Sequence, residues 1–265
     1  MTPAHTGSRT TRLLGIAALV GVATLLVFAF FLSSEDARID ETTGRVIGQG
    51  DAVRLMYVHV PMALLSYLAF AITAVGSVQY LRKRSRWWDT MAHASAEIGV
   101  VFCGLTLVTG AIWGRPTWNT WWEWGDVRLV TTLVLFLMYL GYLAFRSVPG
   151  DPHVRAKRAA VVALVAVVDI PLVNRSVEWW ENRTLHQKST LTEMSIENLK
   201  LFTLMLGFVV FAIVFLWLLV HRFRVGWLAE EVEQSGLEDA LVERRAEAAV
   251  GVEAAVATPV AGRAD

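Results

Sequence analysis

Apolar residues in this chain are gathered into long unbroken runs separated by short polar segments. They do not show the spacing of half-buried helices in a globular domain. Six runs stand out, at 13–32, 57–81, 91–113, 127–145, 159–174 and 199–220. Most reach the ~20 residues that an α-helix needs to cross a hydrocarbon core of ~30 Å. The fifth is the weakest. Its clean apolar part, 159–168, runs into Asp169, Ile170 and Pro171, and a carboxylate followed by proline predicts a helix that kinks or frays there. The first run is long for the apolar region of a signal peptide, and no small-x-small cleavage pattern follows Phe31, so it reads as a retained helix. The fold class expected is all-α: a polytopic integral membrane protein with six transmembrane helices.

Charge orients these helices. Arg9 and Arg12 precede the first run, Arg82, Lys83, Arg84 and Arg86 join the second to the third, Arg146, Arg155, Lys157 and Arg158 join the fourth to the fifth, and Arg222 and Arg224 follow the sixth. All fall on one side, which the positive-inside rule makes cytoplasmic, together with both termini. The chain then divides into a cytoplasmic segment 1–12, a six-helix membrane domain 13–220 and a cytoplasmic tail 221–265. The tail is rich in Ala, Glu and Val and reads as a short surface helix followed by disorder. Net charge is zero, with 24 basic and 24 acidic residues, so nothing points to nucleic acid as a partner. The single cysteine, Cys103, lies inside an apolar run and reads as a packing residue. Glu97 and Asp169 are the clearest ionisable residues near helix interiors; both read as interfacial or capping groups close to helix ends. No phosphate-binding G-x-x-x-x-G-K-[ST] stretch is present, so any nucleotide hydrolysis belongs to a partner.

The stretch "WGRPTWNTWWEWGDVRL", residues 113–129, carries five tryptophans on one expected outer loop. An interfacial aromatic belt is the plain alternative, but a belt spreads over many helix ends. The histidines sort by side. His5, His93, His153 and His221 fall on the inner side, whereas His59, in "YVHVP", and His186, in "TLHQKST", fall on the outer side with the tryptophans. A metal porphyrin is a flat apolar disc with two axial positions and two carboxylates. Imidazole is a common axial ligand of its iron, and indole faces cover such a disc with large area and few rotatable bonds. His59 and His186 are thus candidate axial ligands. Trp113, Trp118, Trp121, Trp122 and Trp124 form a candidate platform, and Trp179 and Trp180, in "SVEWWENR", a second wall. Arg54, Arg115, Arg128 and Arg183 are candidate partners of the propionates, Arg128 the best placed; headgroup contacts or salt bridges to Glu123, Asp126 or Glu178 are the alternative for each. No C-x-x-C-H stretch exists, so the haem would be b-type and held non-covalently.

The tryptophan segment resembles the "WWD" signature of haem-handling membrane proteins, WGxPxWGxWWxWDxRLTS. "LMYVHVPMA" around His59 and "SVEWW…TLHQ" ending at His186 are similar to the haem-ligand segments of the CcmC family, the haem-delivery proteins of cytochrome c maturation. The resemblance covers roughly 51–220. It implies that His59 and His186 are the axial ligands and that Asp126 and Arg128 belong to the binding motif. It implies a site on the outer side of a bacterial inner membrane, and delivery of haem to the chaperone CcmE. The implied partners are an ABC transporter of CcmA and CcmB, the small membrane protein CcmD, and membrane lipid. It implies no catalytic step. The sequence departs from the pattern in three places: Asn119 replaces a usual Gly, Gly125 splits the usual Trp-Asp pair, and the stretch before His186 is about two residues longer. A b-type cytochrome subunit is a second reading, though it would usually bury its ligands within helices. A permease without haem is a third. The segment 181–195 is polar, so His186 is expected to be the more mobile ligand.

Overall fold

The structure, a computed structural model, describes residues 7–39, 42–43, 46–186 and 198–257. Among these, six helical segments are long and apolar enough to cross a membrane: Arg9–Leu32, Asp51–Lys83, Arg86–Trp118, Val127–Ser147, Pro152–Trp179 and Asn198–Arg245. The chain is a multi-pass membrane protein. Helix α1, Arg9–Val27, opens on a capping box in which Ser8 and Thr11 exchange backbone and hydroxyl bonds. Its last turn widens into a π-helical turn at Phe28–Leu32. Helix α2, Met56–Lys83, ends on Arg84, and α3, Arg86–Trp118, on Asn119. Both end residues are left-handed, the conformation that closes a helix. Helix α4 spans Val127–Ser147. Next comes α5, Pro152–Ala166, with Pro at its first position and Asp151 accepting from the N–H groups of His153 and Val154.

The fifth span breaks where Asp169 and Pro171 predicted. Helix α5 ends at Ala166, and α6, Asp169–Trp179, restarts after Val167 and Val168. Helix α7, Asn198–Ala257, follows. Gly7–Phe223 forms one compact unit; from Arg224 onward α7 belongs to a second. The sixth run ends at 220 in the sequence pattern, yet α7 continues as helix through Ala257. Residues 187–197 of the loop that holds His186, and 258–265 of the tail, lie outside the described residues.

Packing inside Gly7–Phe223 relies on small residues, as expected where lipid removes the hydrophobic drive between helices. A buried alanine face on α5 (Ala156, Ala159, Ala160, Ala163, Ala166) lets neighbouring helices approach closely. Phe70 of α2 stacks on Tyr139 of α4 with ring centroids 3.7 Å apart. Proline at position 61 has no N–H to give the Tyr57 carbonyl, and Gly207 of α7 sits against that oxygen: a Cβ on Gly207 would stand 2.5 Å from it. At the far end, Arg146 of α4 grips Asp89 of α3 through two hydrogen bonds of 2.6 and 2.9 Å. Glu97 accepts from Arg222 of α7 through both carboxylate oxygens, with His93 Nε2 at 3.7 Å. Glu97 therefore ties α3 to α7 beside the end of the sixth apolar run.

Two further features depart from the sequence pattern. The first connecting loop carries a short hairpin, β1 Asp36–Ile39 antiparallel to β2 Val46–Gly50. Gly48, at φ +132, passes so close to the Asp36 carbonyl that no side chain fits. And α3 runs on through Trp118, so Trp113 and Trp118 belong to a helix and only 119–126 is loop.

Candidate functional site

His59 sits near the start of α2, on the face turned to α3. A Cβ on Gly110 would stand 3.0 Å from its ring, so the absent side chain makes room for the imidazole. Its Nδ1 lies 3.0 Å from Thr109 Oγ1. The Thr109 hydroxyl proton is directed to the carbonyl of Leu105, at 2.8 Å. A hydroxyl that donates to Leu105 accepts from the ring, an arrangement that matches a proton on Nδ1 and Nε2 as the ligating nitrogen. The ring also meets Trp113 edge-on at 5.6 Å, and Trp113 Nε1 donates to Gln49 of the hairpin at 2.8 Å.

His186 follows a single 3-10 turn at Glu181–Arg183. It meets Trp118 at 4.9 Å between ring centroids. Its Nδ1 faces Asp126 Oδ2 at 3.6 Å, longer than a hydrogen bond but within ion-pair reach. Asp126 is buried and uses both oxygens. Oδ1 accepts from Leu129 N–H at 2.9 Å, capping α4. Oδ2 accepts from Leu185 N–H at 2.6 Å and from the Thr184 hydroxyl at 3.2 Å. Burial pushes this carboxyl up, but the facing His186 and the N–H groups of Leu185 and Leu129 outweigh it and hold the group at about 2. It is ionised at neutral pH. One carboxylate thus starts α4 and fixes the strand of chain that presents His186.

His186 and Arg128 each lie within electrostatic reach of His59. Arg128 Nη2 donates to the Asn174 carbonyl at 2.9 Å, while its Nε is buried and makes no hydrogen bond among the described residues. Of the other arginines singled out, Arg54 is bound to Asp51 and to the carbonyls of Ala29 and Phe30, and Arg115 to Asn119. Arg183 lines an open groove with Asp126, Thr184 and Leu185. The tryptophans divide. Trp113 and Trp118 touch the histidines. Trp122 and Trp124 pair edge-on at 5.6 Å, and Trp122 Nε1 is buried without a hydrogen bond among the described residues. Trp121, Trp124, Trp179 and Trp180 are exposed. Trp179 and Trp180 pair with each other at 5.9 Å; among the described residues no ring contact joins them to the others.

A family profile described as Heme exporter protein C, CcmC, matches residues 3–238. The chain belongs to the CcmC family. It is 40% identical over 193 residues to a Heme exporter protein C of Haemophilus influenzae, an alignment covering 70% of this chain and 76% of that protein. It is 34% identical over 149 residues to the Heme exporter protein C of Escherichia coli K12, covering 56% and 60%. A ccmC-like mitochondrial protein of cytochrome c biosynthesis from Marchantia polymorpha is 36% identical over 145 residues, covering 55% and 60%. The latter two alignments thus span about three fifths of the relatives they match.

Sequence reading missed Thr109, Gln49 and the bridging use of Asp126 within this CcmC-family site. A signal for Thr109 existed: "LTLVTG" at 105–110 places two threonines in the middle of an apolar run, where a hydroxyl needs a reason.

Proposed function

We propose that the protein binds haem b at the outer face of a bacterial cytoplasmic membrane and delivers it, without chemical change, to the chaperone CcmE for cytochrome c maturation. Haem is here cargo. One observation carries the reading. His59 and His186 come from distant parts of the chain to one end of the bundle, and each turns its Nδ1 toward a protein oxygen, Thr109 Oγ1 and Asp126 Oδ2. That arrangement leaves Nε2 of each ring as the ligating atom, the usual outer-shell support of a metal-binding histidine. Trp113 and Trp118, edge-on to those rings, flank the same space. Trp121, Trp122 and Trp124, with Trp179 and Trp180 beyond them, offer apolar faces toward the disc. Arg128, whose Nε has no partner among the described residues, and Arg183 are the guanidinium groups left to pair with propionates. CcmA and CcmB would supply the ATP-driven step, with CcmD as a small membrane partner.

The test is an absorption spectrum of the purified protein. The expected outcome is a b-type haem, wholly released by acid acetone. His59→Ala and His186→Ala should each shift the Soret band and lower occupancy, while His93→Ala and His153→Ala leave both unchanged. Equal effects from all four, or haem that stays on the chain after extraction, overturns the proposal.

A further inference from the structure

At the end of Gly7–Phe223 opposite the two histidines, α1 and α7 border an open groove of about 690 Å³. Arg9, Arg12 and His221 line it at the helix ends, and Ile16 and Leu19 continue it along α1 into the span. Trp217 forms its wall. The indole lies against α1 because residue 15 is glycine: a Cβ there would stand 3.1 Å from Trp217 Nε1. His221 meets that indole edge-on at 5.3 Å.

The two arginines in this groove differ from the two that tie helices together at that end. Arg146 is bound to Asp89 and Arg222 to Glu97. Arg9 and Arg12 are exposed, the first turn of α1 holds no acidic residue, and among the described residues neither guanidinium has a carboxylate partner. Next to this cationic pair, Ile16 and Leu19 are exposed along the membrane-spanning part of the same helix. A free anion or a soluble acidic peptide matches the arginines but leaves the apolar track unused. A molecule with a phosphate at one end and a hydrocarbon chain at the other matches both, and tryptophan and arginine are the side chains that favour the boundary between them.

We infer that this groove is a binding site for one anionic phospholipid. Its headgroup phosphate lies between Arg9 and Arg12, beside His221 and Trp217, and an acyl chain runs over Ile16 and Leu19. The site is independent of the haem reading.

Native mass spectrometry of the full chain in detergent, with added phosphatidylglycerol or phosphatidylcholine, tests it. One phosphatidylglycerol should be retained under conditions that strip phosphatidylcholine. The double variant Arg9→Gln/Arg12→Gln should lower that retention about tenfold or more, from the loss of two basic contacts, with the absorption spectrum of the haem site unchanged. A second measurement uses brominated lipids. The quenching of tryptophan emission by brominated phosphatidylglycerol in excess of that by brominated phosphatidylcholine should vanish in Trp217→Phe. Equal retention of the two lipids, unchanged retention in the double variant, or the same excess quenching in Trp217→Phe overturns the site. Displacement by soluble glycerol 3-phosphate at the same concentration as lipid would show an anion site without a chain track. Co-purification of an acidic protein segment that displaces the lipid would assign the groove to a protein partner.

Discussion

Asp126 Oδ2 and His186 Nδ1 face each other at 3.6 Å, while the other oxygen of the same carboxylate caps α4. The first helical N–H groups of α4 and the chain leading to His186 are therefore tied to one side chain. Asn at position 126 can still cap the helix, being as good an N-cap as Asp. It has only one acceptor oxygen, however, and its NH2 would confront the Leu185 N–H and His186. Asp126→Asn should keep thermal stability near that of the parent and lower haem affinity about 10- to 100-fold. Asp126→Ala should lose the same affinity and in addition about 1 kcal/mol of stability from the missing cap. Spectral titration and thermal unfolding in detergent separate the two effects. Parent-like affinity in both variants would remove Asp126 from the site.

Thr109 is the corresponding support for His59. Thr109→Val keeps the shape of the side chain but removes the oxygen that holds the proton on Nδ1, so both tautomers become available to the ring. The expected result is a haem affinity lowered by about tenfold, with the loss recovered in Thr109→Ser. Absorption spectra at graded haem concentrations measure this. Failure of the serine variant to recover affinity would show that the threonine methyl group, packing beside His59, is what matters.

The tryptophans are expected to act through flat area more than through individual hydrogen bonds. Single Trp→Phe changes at Trp118, Trp121 or Trp122 should be mild. Converting two of them to Ala together should weaken haem retention by a few kcal/mol, at ~25 cal/mol per Å² of apolar cover lost. Trp122 Nε1, buried without a partner among the described residues, is the position to watch. A severe loss in Trp122→Phe alone would assign that N–H a contact of its own with the ligand.

Gly207 and Tyr57 carry a prediction about the scaffold. Gly207→Ala places a methyl 2.5 Å from the Tyr57 carbonyl, the oxygen that Pro61 leaves without its helical donor. Helices α2 and α7 must separate to admit it. The cost should be about 1–3 kcal/mol, as for an overpacked core position, read as a lower unfolding temperature in detergent. An unchanged unfolding temperature would mean the helices do not approach this closely.

The parts that were legible in the sequence have one-dimensional signals. A span is a run of apolar residues, and six runs correspond to six helical spans because lipid makes length and composition nearly sufficient. The break between α5 and α6 was legible because Asp169 and Pro171 are local causes. The end of α3 was not: Pro116 suggests a stop, but the helix continues through it to Trp118. The hairpin at Asp36–Gly50 was missed because its strands are short and glycines interrupt the second, and the tie from Glu97 to Arg222 was missed because the two are 125 residues apart. The nearness of His59 and His186 was legible from the order of the runs along the chain. Their supports were not, since Thr109 and Asp126 become recognisable only once α3 lies beside α2 and the His186 segment returns to the start of α4.

In the proposed hand-over of haem, the difference between these two supports sets the expected order of release. His59 stands on α2, backed by Thr109 and Gly110 of α3, so moving it means separating two membrane spans. His186 is held by the Asp126 contact, the Leu185 N–H and the Thr184 hydroxyl, groups that lie outside the spans and can be exchanged without unpacking a helix. A docking chaperone that offers its own ligand to the iron should therefore displace His186 and leave His59 attached. The expectation is that a haem-bridged complex with the chaperone can be trapped from His186→Ala, with the iron retaining one ligand from this chain, and cannot be trapped from His59→Ala. Trapping from His59→Ala and failure from His186→Ala would reverse the order of release and show that the tether through Asp126 is the firmer of the two.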